Sequence, residues 1–153
     1  MSHPPLLDQL IALTTMLQQD QDRELSALGL TQSRTHALWI LHHRGPSMQR
    51  DIADAMAVTP RHVTTLVDEL VDAGLVLRRE HPHDRRAVLV GLTERGISLM
   101  EQMALDHAHL DAALSAGMTA AERSALQRAL EHVTTRLQAE IEAAHPSTDN
   151  LAP

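Results

Sequence analysis

Residues 59–65 read Thr59-Pro60-Arg61-His62-Val63-Thr64-Thr65. Thr59, His62, Thr64 and Thr65 bring short or planar hydrogen-bonding groups, and Arg61 adds a fork of N–H donors suited to phosphates and guanine edges. Thr59-Pro60 is a helix start, a hydroxyl at the N-cap followed by Pro at the first helical position. The apolar residues behind it, Val63, Leu66, Val67 and Leu70, recur at helical spacing and form an inner face. Donors around the exposed N-terminal half of such a helix suit a DNA major groove about 12 Å wide. Asp68, Glu69 and Asp72 come later and should point away from a polyanion. The competing reading is two short helices that merely pack, with Arg61 a solvated charge.

A second cluster follows directly. Residues 75–79 and 87–92 are short β-prone runs, joined by the polar loop Glu80-His81-Pro82-His83-Asp84-Arg85-Arg86. A β-loop immediately after such a helix is a wing, and an Arg at its tip can enter the narrow, electronegative minor groove. Asp84 is out of place near phosphate unless it holds an Arg in position, with Arg78, Arg79 and Arg86 as candidates. The alternative is an ordinary charged β-turn.

The elements that must position these residues can be read from periodicity and punctuation. Leu6, Leu10, Leu13 and Leu17 share one helix face, predicting a helix over 6–27 that stops at Gly29. Thr31 caps a second helix carrying Leu38, Trp39 and Leu41, ended by Gly45-Pro46. Short helices follow over 49–56 and 60–73, with Ala53 small enough for two helices to cross. Gly74 supplies the stop. After the hairpin, Thr93 caps a long helix to about residue 115. Gly117 breaks it, and Thr119 opens a last helix carrying Leu126, Leu130, Val133, Leu137 and Ile141. The predicted fold is mainly α with a small β-wing: a winged helix-turn-helix flanked by long dimerisation helices. A single domain is expected over 1–145, with the winged region at 30–95, helical dimerisation regions at 1–29 and 97–145, and a disordered tail at 146–153. The outer helices carry more apolar face than one small copy can bury, so a second copy is the expected partner.

Composition narrows the function. Every basic residue is Arg, and the formal charge is −7. Nine of the 13 Arg lie between Arg34 and Arg95 against eight carboxylates, a net of +1, while the flanks hold four Arg against 12 carboxylates, a net of −8. An Arg-rich centre between acidic arms indicates a localised anion-binding face. One Trp and no Phe or Tyr weigh against modules that stack nucleic-acid bases on aromatic platforms. Absence of Cys removes thiol nucleophiles, disulfides and Cys-based zinc sites. No nucleophile–base set or Gly-rich phosphate loop is present, so neither an enzyme nor a cofactor is expected. With no signal-peptide pattern and no membrane-length apolar run, the expectation is a cytoplasmic protein away from membranes.

Several segments together resemble the MarR family of winged helix-turn-helix transcriptional regulators. They are Leu30-Thr31, Ile52-Ala53-Asp54-Ala55-Met56-Ala57-Val58, Val63-Thr64 with Leu70, and Ala73-Gly74-Leu75-Val76-x-Arg78. The last is Asp84-Arg85-Arg86-Ala87-Val88-x-Val90-x-Leu92-Thr93-Glu94-x-Gly96. The resemblance implies a homodimer on pseudo-palindromic duplex DNA, usually a repressor. It also implies Arg86 as the minor-groove residue, supported by Asp84, with Arg78 as an ion-pair partner. The chain departs from the family pattern at Ala57, where Gly is frequent, and at Arg34-Thr35. It departs again at Thr65 and Glu69, where basic residues are frequent, which implies phosphate contact that is either weaker or shifted toward Arg50 and Arg61.

Eleven His raise the question of metal. His107 and Asp111 share a helix face, and His36 faces inward if Trp39 and Leu41 do not, so His36, His107 and Asp111 are weak zinc candidates in a family that includes zinc sensors. Scattered solvent or interface His is the simpler account. By resemblance, an effector pocket lies between the first, second and fifth helices. Met16, His36, Trp39, His43, Met100, Met103 and His107 are its candidate walls, for an anionic aromatic ligand. Core filler explains Trp39 and the Met residues equally well. The sequence is compatible with an effector-responsive DNA-binding regulator, a zinc-responsive version, or a winged-helix protein–protein module without DNA binding.

Overall fold

The computed structural model describes residues 4–145, apart from the side chains of residues 84–86. The order of elements is α1 (Leu6–Ala27), α2 (Gln32–Arg44), β1 (Ser47–Met48), α3 (Gln49–Met56), α4 (Pro60–Asp72), β2 (Val76–His81), β3 (Asp84–Leu92), α5 (Glu94–Leu114) and α6 (Ala120–Ala144). Two compact units are distinguished among the described residues, divided between residues 104 and 105.

The helix starts follow their caps. Thr31 accepts from the Arg34 amide at 3.3 Å and Thr59 from the His62 amide at 3.3 Å. Thr119 and Glu122 form a reciprocal capping box at the head of α6. Ala57 ends α3 with φ 54°, a left-handed conformation. This is the backbone that the sequence departure at this position demanded, tolerated in a tight turn at the cost of local strain.

In the first unit, Leu38 of α2, Ile52 and Ala53 of α3, Val63, Val67 and Leu70 of α4, Val76 and Val90 of the sheet and Met100 of α5 are almost fully buried. Burial of each large member stabilises the unit by about 1.5–3 kcal/mol relative to exposure. That core fixes α4 against α3, with the other face of α4 left to solvent.

The sheet is antiparallel with order β1-β3-β2, and β1 pairs Ser47 with Val90 and Met48 with Leu89. β1 was not foreseen, because two residues carry no periodicity. The wing strands are also longer than predicted. Glu80, His81 and residues 84–86, expected in the loop, lie in strands joined by Pro82-His83. The polarity of residues 80–86 is what favours a loop there in the sequence. Arg78, Arg79 and Glu80 are exposed, so this end of the hairpin never needed apolar alternation to pair.

In the second unit, α6 has no buried residue. Leu126, Leu130, Leu137 and Ile141 stand 44–54% exposed along one face.

Candidate nucleic-acid interface

Helix α4 carries the expected surface. Arg61, His62, Thr64 and Thr65 are all exposed, and no acidic residue occupies the first turn. The helix dipole adds positive potential there. The Thr59 oxygen is engaged as the cap, and the Thr65 hydroxyl lies 3.4 Å from the Arg61 carbonyl. The Thr64 hydroxyl lies 3.1 Å from both Gln49 Oε1 on α3 and the Pro60 carbonyl. Gln49 was not singled out in the sequence, although a polar residue at a helix start beside Arg50 is a readable signal. Arg50 is exposed at the head of α3, 3.9 Å from Asp51.

The carboxylates further along α4 are drawn into pairs. Asp68 receives a 2.6 Å hydrogen bond from Arg78 on β2. Glu69 accepts from Arg34 of α2 at 2.8 Å, and Arg34 also donates to the Gly29 carbonyl at 3.2 Å. Asp68–Arg78 therefore ties the wing to α4, and Glu69–Arg34 ties α2 to α4. Two of the three acids that opposed an anion-binding reading thus each face a guanidinium.

This changes the place of Arg78. It was matched with Asp84, but the register sets Arg78 opposite Val90 and Asp84 opposite His81. Three residues of strand, about 10 Å, separate the two positions along β2. Asp68 is the described partner of Arg78. The roles assigned to Asp84, Arg85 and Arg86 concern side chains outside the described residues.

The effector and metal candidates are dispersed. Leu41 is buried and Trp39 half-buried, so the inward face of α2 belongs to them, and His36 is exposed rather than turned inward. Trp39 stacks on His43 with ring centroids 5.3 Å apart and meets His42 edge-on at 5.6 Å. Met16 is 67% exposed, Met100 is fully buried in the core and Met103 packs at its margin. His107 and Asp111 are exposed on α5. Among the described residues no group of three or more His, Asp or Glu is placed to hold a metal ion. A cleft of about 350 Å³ in the first unit is lined by none of the seven effector candidates. It lies where the α1–α2 turn, the end of α4 and the start of α5 converge, around Leu30, Arg34, Leu75 and Arg95.

The MarR family model matches residues 30–88. A transcriptional repressor of Pseudomonas putida, IacR, is 30% identical over 120 residues, which cover 78% of this chain and 72% of IacR. The chain belongs to the MarR family. Another relative, the MhqR transcriptional regulator of Bacillus subtilis, is 32% identical over 80 residues, covering 52% of this chain and 55% of MhqR. Across the first relatives the match spans roughly half to three-fifths of their length. The crystal structure of RV1404 from Mycobacterium tuberculosis superposes with a TM-score of 0.70 at 29% identity, covering 86% of this chain and 90% of the other. The family match spans α2 through the first half of β3, so the MarR signature coincides with the exposed face of α4 and most of the wing.

Proposed function

We propose that this MarR-family protein is a sequence-specific, duplex-DNA-binding transcriptional regulator. In this reading it is a homodimeric repressor released from a palindromic operator by a small phenolic or anionic aromatic effector. The observation that carries the reading is the carboxylate-free N-terminal half of α4, with Arg61, His62, Thr64 and Thr65 exposed beside a wing and the nearby acids Asp68 and Glu69 held by Arg78 and Arg34. Arg61 reads base edges from the major groove, Arg50 meets phosphate, and Arg86 enters the minor groove with Asp84 orienting it. Thr59 completes the helix start, and Arg85 adds charge at the wing. The relatives' designation as transcriptional regulators supports this, and the activity is binding rather than catalysis.

Dimerisation rests on separate ground. The apolar faces of α1 and α6, with Leu6, Leu7, Leu130 and Leu137 all more than 40% exposed, exceed what a solvated helix needs. A second copy presents the same faces, and its two-fold symmetry would be matched by a palindrome.

Fluorescence anisotropy of a labelled random-sequence duplex, titrated at several salt concentrations, tests the reading. Binding at low salt that weakens linearly in log salt is expected. No binding at micromolar protein in low salt favours the protein–protein module instead.

A further inference from the structure

Thr64 stands exposed on the outer face of α4, and its hydroxyl proton is already committed. The two atoms within reach of the hydroxyl, Gln49 Oε1 on α3 and the Pro60 carbonyl oxygen, both lie at 3.1 Å, and both are acceptors. A hydroxyl has one proton and two acceptor lone pairs. Whichever neighbour takes the proton, lone pairs are what the oxygen offers to solvent. Arg61, three residues earlier on the same face, is the reverse. It carries donors only, and its guanidinium has no partner among the described residues.

The same contact fixes Gln49. With Oε1 turned to Thr64, the two N–H donors of Nε2 have no partner among the described residues. Gln49 is half-buried at the first position of α3, beside the exposed Arg50. In a helix-turn-helix the first helix crosses the phosphate backbone while the second enters the major groove. An amide donor left free on α3 therefore suits phosphate oxygens, and an acceptor left free on α4 suits base edges.

The major groove sorts Arg61 and Thr64 by partner. Guanine presents acceptors at N7 and O6, which match Arg61, whereas the base donors there are the exocyclic amines of adenine and cytosine. We propose that Gln49 is a further DNA-contacting residue, donating from Nε2 to a backbone phosphate, and that Thr64 accepts from the exocyclic amine of an adenine or cytosine. Three residues of helix rise about 4.5 Å, against about 3.4 Å per base pair, so the amine-bearing base lies within about two base pairs of the guanine that Arg61 meets. The assignment rests on the regulator reading above.

Selection from a random duplex library tests Thr64, with the full-length wild type, Thr64→Ser and Thr64→Val as baits. The wild-type motif should restrict one position to adenine or cytosine, within about two base pairs of the guanine whose preference Arg61→Ala loses. Thr64→Ser keeps the oxygen and should keep that restriction. Thr64→Val keeps the methyl group and should relax that position alone, with a loss of about two- to tenfold in discrimination. Retention of the restriction by Thr64→Val, or its loss in Thr64→Ser, overturns the Thr64 assignment. Fluorescence anisotropy tests Gln49, and circular dichroism confirms that each variant folds. Gln49→Met should weaken binding about tenfold on every duplex and leave the selected motif unchanged, as loss of a hydrogen bond to a charged group requires. Gln49→Glu should weaken binding further, because a carboxylate then faces the phosphate. Affinity of Gln49→Met within twofold of wild type, or a change of base preference in that variant, overturns the phosphate contact. Wild-type binding with unaffected variants refutes these assignments and leaves the regulator reading standing. A wild type that binds no duplex at low salt refutes the regulator reading and both assignments with it.

Discussion

Replacing Gly96 with Ala sets two effects of opposite sign against each other. Gly96 lies in the first turn of α5 at an ordinary helical φ, so intrinsic propensity favours Ala by up to about 1 kcal/mol. The space does not permit it. A Cβ built there would lie 2.1 Å from the Leu75 carbonyl oxygen and 3.1 Å from its carbon, and real Cβ atoms essentially never approach closer than 3.0 Å. The obstacle is backbone, so no rotamer change relieves it, and the chain must move by about 1 Å. The same carbonyl accepts the Thr93 amide at 3.0 Å, so the displacement also strains a hydrogen bond worth about 1 kcal/mol. Overpacking costs typically about 1–3 kcal/mol, and an immovable backbone partner puts this case at or above the top of that range. The net expectation is a loss of about 2 kcal/mol or more, which lowers Tm by roughly 4–8 °C for a chain of this size. Differential scanning calorimetry reads it directly. Gly91→Ala, whose Cβ would meet the Pro46 side chain at 3.4 Å (Cγ) and 3.6 Å (Cβ), ordinary contact distances, serves as the control and should stay within about 1 kcal/mol of wild type. If Gly96→Ala melts at or above the wild-type temperature, the close packing of α5 on Leu75 is wrong.

Arg61→Ala should cost about 1–3 kcal/mol on a preferred duplex and relax selectivity at particular base pairs, read by anisotropy on single-substituted sites. Asp68→Ala should weaken DNA binding although it removes a negative charge, because Arg78 and β2 lose their tie to α4; tighter binding by a folded variant refutes that tie. Leu130→Glu should give monomers or insoluble protein in sedimentation velocity, and a wild-type monomer at micromolar concentration defeats the dimer. Glu122 accepts from the Thr119 amide and hydroxyl, which lowers its carboxyl pKa. Its capping contribution is therefore present above the ordinary carboxylate pKa and lost as pH falls through the lowered one. The Tm difference between wild type and Glu122→Gln should shrink as pH drops below the carboxylate range.

Much of the fold was legible because punctuation and periodicity agree. Thr31, Thr59 and Thr119 announced helix starts that the capping hydrogen bonds bear out, and the inner face of α4 was readable from the spacing of Val63, Leu66, Val67 and Leu70. The site was legible as residue types more than as partnerships. Arg61 and its neighbours could be placed on an exposed helix face from sequence alone. That Asp68 takes Arg78, and Glu69 takes Arg34, depends on how β2 and α2 pack against α4, and separations of 10 and 35 residues leave no local trace. Whether His36 or Trp39 and Leu41 take the inward face of α2 was left open by the sequence for a related reason. Thirteen helical residues carry several apolar ones, and the core took Leu38 and Leu41 with half of Trp39. The cleft around Arg34 and Arg95 was invisible because its walls come from four separate elements.

The exposed face of α4 and the wing are proposed to read duplex DNA as a two-fold pair. In-vitro selection from a random duplex library, with the full chain as bait and the enriched sites sequenced, tests this most directly. An inverted repeat with half-sites centred about one helical turn apart is expected, enriched by wild type and not by Arg61→Ala. Recovery of no enriched sequence, or of a motif without two-fold symmetry, would contradict it.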